Sequence, residues 1–336
     1  MRRAPGTRSR SADAPPLVRL AVAAIALALV LTGCELRLEE PDPPLLVPDA
    51  AEVLRERTAE QATELAETAE QAALTAAEPV ADVLTRIAAV SREQAAAVGG
   101  LYEPFPGVTP EPPATPTATP VPMPPPDAAQ VLDLLTEAAA TARADAGTVP
   151  DGRVARLLAS MATGRLLLAD ALTVATGGTA GPVATVEVPA ALPARMTGQD
   201  AVVLVQSEDA AGMVWEVVAA RSAGDVRQRA ADRAVLHRER AQAWAEAAGV
   251  AGSGTDPRRS AYDLPDALTA EGVEPTELWA AVAGVEADLA ASYASLVAVA
   301  SADARDALID ALVDCTRTQV ATGAGIPAFP GMPERS

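Results

Sequence analysis

Asp225–Ala248 reads DVRQRAADRAVLHRERAQAWAEAA. Apolar and polar residues recur in it at helical spacing. His237 lies seven residues after Ala230 and seven before Trp244, so the three share one helix face. Ser222–Gly224 form a tight turn before it, which makes the preceding segment, Asp200–Arg221, its hairpin partner. Two more helices are expected downstream, at Pro275–Ala300 and Ala302–Thr322. Their connection is so short that they must be antiparallel neighbours. Between the pairs runs a long connection, Val250–Glu274, containing SAYDLPDAL.

Helices running up and down, with one long crossover, describe a ferritin-like four-helix bundle, placed at residues 199–322. Trp215, Trp244 and Trp279 fall on three of its helices, and Tyr293 joins them. Large side chains dominate core energetics, so this half is expected to hold the better-formed core.

Upstream, residues 49–177 form a second helical region of two hairpins. Ala50–Glu78 is rich in Ala, Glu, Arg and Gln but carries few large apolar residues, so its burial should be shallow. Pro79 suits the first turn of the next helix, which runs to Val98 and stops at Gly99-Gly100. The second hairpin comprises Ala128–Ala146 and Arg153–Ala175. In it Leu157, Met161, Leu168 and Leu172 recur at helical spacing, and Gly164 on that face allows close helix approach. Between the hairpins lies a Pro/Thr-rich linker, residues 103–126, with eleven prolines from Pro104 to Pro126. It is an extended spacer of polyproline type, open to O-glycosylation or unmodified. Residues 178–198 form a loop, in which VATVEV alternates as an extended, docked segment would. Residues 323–336 form a tail. The fold class is all-α.

The N-terminus is of another kind. Arg2, Arg3, Arg8, Arg10 and Arg19 precede an apolar run, Leu20–Thr32, too short to span a bilayer. Basic flank, short apolar core and small residue read as a secretory signal, residues 1–33. Leu31-Thr32-Gly33-Cys34 resembles the bacterial lipobox. That resemblance implies a diacylglycerol on the Cys34 sulfur and cleavage before it, and two acyl chains anchor stably. Five Arg and one Asp leave with the signal, so a net charge of −19 becomes −23. Residues 34–48, acidic and Pro-rich, then form a stiff tether holding an acidic body off the membrane.

Composition narrows the function classes. Hydrophobic residues make up 49% and aromatics only 2%, which favours helices packed through small side chains. There is no Lys and no Asn, as in a GC-rich bacterial genome. The negative charge disfavours nucleic acid as a partner. Two Cys and one His exclude a disulfide scaffold and a Cys/His zinc site.

Asp200–Pro333 resembles a ferritin-like domain of unknown function found in actinobacterial proteins. The pieces that carry the resemblance are VLHRERAQAW (Val235–Trp244), AYDLPDA (Ala261–Ala267) and AFPGMP (Ala328–Pro333). CELRLEEPDPP, LRERTAEQATELA and VARLLASMATGRLLLADAL resemble the N-terminal region of lipoproteins with that domain. The resemblance implies a fold and an envelope location, and no reaction. Members often carry Glu-His where this chain has Glu208-Asp209.

A di-iron centre in such a bundle needs a Glu on each of two helices and Glu-x-x-His on the other two. Ala234, not Glu, stands three residues before the one histidine, His237. What remains is a degenerate carboxylate set, Glu208, Glu216, Glu286 and Asp314, against solvated or Arg-paired carboxylates. His237 reads foremost as a hydrogen-bonded core or rim residue, and as a base it lacks a partner on its own helix face. Glu286, in line with Trp279 and Tyr293, reads as Tyr- or Arg-paired, with cation binding as the other option. Cys315 reads as a buried, inert thiol. Arg227, Arg229, Arg233, Arg238 and Arg240 read as partners of nearby acids. No phosphate loop or nucleophile motif is present, and no cofactor is expected. The resulting expectation is a membrane-anchored extracytoplasmic lipoprotein with a non-catalytic interaction or scaffold role. An envelope protein is its possible partner. The alternative is a small-ligand or metal-binding lipoprotein that uses the bundle interior.

Overall fold

The computed structural model describes residues 48–101, 124–182 and 184–335. Cys34, the signal segment, the tether up to residue 47 and the Pro/Thr-rich stretch from 102 to 123 lie outside the described residues. Among the described residues all regular structure is helical. The helices are α1 (Ala50–Ala73), α2 (Val80–Ala97), α3 (Ala128–Thr148), α4 (Gly152–Ala175), α5 (Gly198–Arg221), α6 (Gly224–Ala247), α7 (Asp266–Thr269), α8 (Pro275–Val299) and α9 (Arg305–Ala321).

The helix ends follow from local chemistry. α1 stops five residues short of the expected Glu78, because the chain must reverse before Pro79, whose predecessor is pushed out of the helical region. Asp127 caps α3 in a capping box with Gln130, and Thr197 does the same for α5 with Asp200. Asp151 accepts from the Arg153 and Val154 amides at the start of α4. A 3-10 turn, Ala302–Ala304, precedes α9, which therefore starts three residues later than expected. The crossover contains the four-residue α7, which carries the buried Leu268 into the bundle.

α1 with α2 and α3 with α4 form hairpins that pack on each other. α5 with α6 and α8 with α9 form the bundle, and α4 packs on α8 and α9. One core therefore runs from Ala155, Leu158 and Leu167 of α4 through Leu204, Trp244, Tyr293 and Leu312 of the bundle. A second core joins Leu65, Ile87, Val131, Leu135, Met161 and Leu168. The N-terminal hairpins thus have a core of their own, and the bundle adds a third cluster around Trp215, with Val214, Val218, Ala230, Leu268 and Val282. Ala supplies much of either core, which lets backbones approach where larger residues would hold them apart. A Cβ on Gly152 would lie 1.8 Å from the Ala298 carbonyl oxygen of α8.

The tail is part of the second core. Phe329 and Met332 are buried among α1–α4 residues. Polar groups of the N-terminal hairpins hold its backbone: Gln94 donates to Ala328 O at 3.1 Å, Ser160 to Pro330 O at 2.7 Å and Arg156 to Gly331 O at 3.1 Å. An added Cβ on Gly164 would meet this tail first, Ala328 O at 3.2 Å, and then the Gln94 side chain of α2 at 3.5 Å. α4 and α8 are long and apolar enough to cross a membrane, yet 67% and 50% of their most apolar windows are buried inside this fold. Val186 and Val188 of the loop pack against the first core without forming a strand.

Candidate functional site

Each bundle helix sends charged or polar groups to one internal layer. α5 contributes Glu208 and Trp215, α6 contributes Arg233, His237 and Arg240, α8 contributes Glu286 and Tyr293, and α9 contributes Asp314. Three of the pairs are seven residues apart, two helical turns on one face.

His237 is fully buried between two carboxylates. Its Nδ1 lies 2.6 Å from Glu208 Oε2 and its Nε2 lies 3.1 Å from Glu286 Oε1. With an acceptor at each nitrogen, the ring donates from both as an imidazolium. Burial opposes that charge, but Glu286 and Glu208 outweigh it and raise the His237 pKa above its ordinary value. Arg233 grips Glu286 with two bonds, Nε to Oε1 at 3.0 Å and Nη2 to Oε2 at 2.7 Å. Its Nη1 donates to Asp314 Oδ2 at 2.6 Å, and Arg240 Nη1 stands 2.7 Å from the same oxygen. Trp215 Nε1 donates to Glu286 Oε1 at 2.8 Å, and the Tyr293 hydroxyl donates to Glu208. Although burial works against ionisation, Arg233 and His237 hold the Glu286 carboxyl well below the usual carboxylate range. Burial, reinforced by the Glu208 charge, pushes the Tyr293 phenol well up.

With His237 protonated, three carboxylates face three cations. The cluster is neutral as a whole, the condition under which buried charges persist. It occupies the bundle interior, where proteins of this architecture place di-metal carboxylate centres. The residues present do not fit such a centre. Guanidinium and imidazolium groups already stand between the carboxylates, and among the described residues no three His, Cys, Asp or Glu side chains converge as ligands.

Of the residues singled out in the sequence, Glu208, Glu286, Asp314 and His237 come together. Glu216 does not. It lies on the surface, held by Arg238 through bonds of 3.0 and 2.9 Å. The partners that orient His237 come from α5 and α8, so the absence of one on its own helix was not decisive. Glu286 pairs with Arg233, while the tyrosine beside it on α8 serves Glu208. Cys315 is buried, and burial together with Glu286 pushes its thiol well up, as an inert thiol requires.

Asp209 has a separate task. It is buried, pairs with Arg238, and accepts from the Tyr262 hydroxyl at 2.6 Å and the Arg259 amide at 3.2 Å. Tyr262 belongs to the crossover, so Asp209 fastens the crossover to α5. Burial and the bond to Asp209 push the Tyr262 phenol up to about 12. Sequence reasoning missed Trp215, Arg233 and Arg240 as members of the cluster. The signal was present, since 233, 237, 240 and 244 follow the i, i+4, i+7, i+11 pattern of one helix face.

Residues 201–334 match the family model described as a domain of unknown function (DUF4439), a ferritin-like type of domain. The matched stretch contains the whole charge cluster and the docked tail, and none of α1–α4. Comparison with curated proteins and with solved structures gives no match.

Proposed function

We propose that the protein is a lipid-anchored, extracytoplasmic lipoprotein of the cell membrane with a non-catalytic interaction or scaffold role at the envelope. One observation carries the non-catalytic part. The Arg233 guanidinium bridges Glu286 and Asp314, so the carboxylates of the bundle interior are spent on internal ion pairs and not held ready for a metal or substrate. The anchor rests on the sequence, on the basic and apolar segment that ends at Leu31-Thr32-Gly33-Cys34. The strongly acidic composition supports a body that stands off an anionic bilayer.

Two measurements test the reading. Cys34→Ser moves the protein from the membrane fraction to the soluble or secreted fraction, and a mutant that stays with the membrane sinks the anchor. Metal analysis of the purified protein returns less than stoichiometric iron and manganese. A full equivalent of either overturns the non-catalytic interior. Crosslinking in intact membranes then identifies the envelope partner.

A further inference from the structure

α6 and α9 face each other across a seam that Arg233 and Arg240 span, both reaching Asp314. Outside this ionic bridge the seam opens as a cleft of about 570 Å³, within the ordinary range for a small-molecule site. We infer that this cleft binds a small organic anion bearing a flat ring, with Arg229 taking the charge and Trp279 the ring.

The walls decide the ligand class. Trp215 and Trp279 line the cleft with ring centroids 6.3 Å apart and planes tilted by 51°. Trp215 is buried and its N–H is engaged with Glu286, whereas Trp279 is half-buried, packed on the same core cluster, and lines the cleft with the rest of its surface. Three arginines, Arg229, Arg233 and Arg317, stand against a single carboxylate, Asp314. That carboxylate is already engaged by Arg233 and Arg240. Arg233 commits three N–H groups to Glu286 and Asp314, and Arg317 commits three to Asp170 and Pro182 O. A guanidinium has five, so each keeps two. Arg229 is exposed and makes no hydrogen bond or ion pair among the described residues, alone among the five arginines that crowd α6. The cleft is therefore a positive, aromatic recess on a chain of net charge −19.

A cation would meet three guanidinium groups here. An uncharged ring would bury Arg229 without a partner, at the cost of desolvating a charge. A polyanion would have to cross the acidic exterior, which leaves a small anion. The inference moves the ligand-binding alternative from the bundle interior to its wall. It goes beyond the envelope reading and stands or falls without it, since neither Cys34 nor the metal content enters.

Equilibrium dialysis of the purified full-length protein tests it, with indole-3-acetate, phenyl phosphate and 2-naphthalenesulfonate as probes and uncharged indole-3-ethanol as comparator. At least one anion binds saturably at one site and more tightly than the comparator. Arg229→Gln and Trp279→Ala each weaken that binding about tenfold, the loss expected for one charge-assisted contact or one stacked ring. Arg153→Gln, at the distant start of α4, leaves it unchanged, and thermal melts show that all three variants are folded. No saturable binding by any anion, an equally tight comparator, or an Arg229→Gln variant that binds like wild type overturns the proposal.

Discussion

Replacing Arg233 with Met removes one cation from a cluster of three anions and three cations. Three charge-assisted bonds disappear, at 3.0, 2.7 and 2.6 Å, and they served a carboxylate that is 0% exposed and one that is 7% exposed. Breaking a buried ion pair from one side costs about 3–5 kcal/mol. The low end applies, because Glu286 keeps His237 and Trp215 while Asp314 keeps Arg240. About 3 kcal/mol in a cooperative unit of roughly this size lowers the melting temperature by about 5 °C. Glu286→Gln alone unbalances the cluster the other way. The double variant, with two anions and two cations, is neutral again. It should therefore be less destabilised than the sum of the single variants by at least about 1 kcal/mol. Urea denaturation of the four proteins at pH 7 measures this cycle. Strict additivity, or a cost below about 1 kcal/mol for Arg233→Met, refutes the neutral-cluster argument.

Two further outcomes follow from the same geometry. The folded-state pKa of His237 is raised, so its contribution is complete below the unfolded value near 6.5 and is lost as pH rises through the folded value; Glu286 is depressed, so its contribution is present above its ordinary value and lost as pH falls through the folded one. Melting curves from pH 4 to 10 should show the gap between wild type and His237→Gln largest near pH 5–6.5 and closing on the alkaline side, and a gap that widens there contradicts the charged imidazolium. Gly331→Ala should cost about 2–4 kcal/mol by thermal denaturation, because φ is +73° and an added Cβ would lie 2.7 Å from both Ala290 O and Ala294 Cβ; a neutral substitution would mean that the tail is not seated between the two halves.

The helices were legible because their signals are local. Caps, turns and seven-residue spacing placed nearly every boundary within three residues, and the long crossover specified the bundle. Glu208, Glu286, Asp314 and His237 were legible as candidates because buried-face positions rarely carry ionisable groups. Their pairing was not. Whether Glu286 meets Tyr293 or Arg233 depends on how α6 and α8 are rotated against each other, and no spacing within one helix encodes that. The tail was recognised as a motif in AFPGMP, yet nothing local says that its backbone carbonyls find donors on Gln94, Ser160 and Arg156, which stand some 170 to 230 residues away.

The arginines show why pairing matters for function. Arg233, Arg238 and Arg240 look alike in sequence, but each one's position on α6 fixes a different role. Arg233 and Arg240 point inward and bridge to α9, so their charge is consumed by the cluster. Arg238 points outward, where it holds Glu216 and Asp209 and steadies the crossover through Tyr262. Arg229, one turn before Arg233, falls beyond the last internal carboxylate and keeps its charge for whatever enters the seam. A helix that spends its charges in turn on core, crossover and cleft separates stability from recognition. The interior can therefore be perturbed by His237→Gln without altering any residue that lines the cleft. In that variant, anion binding should persist even as the pH dependence of stability flattens.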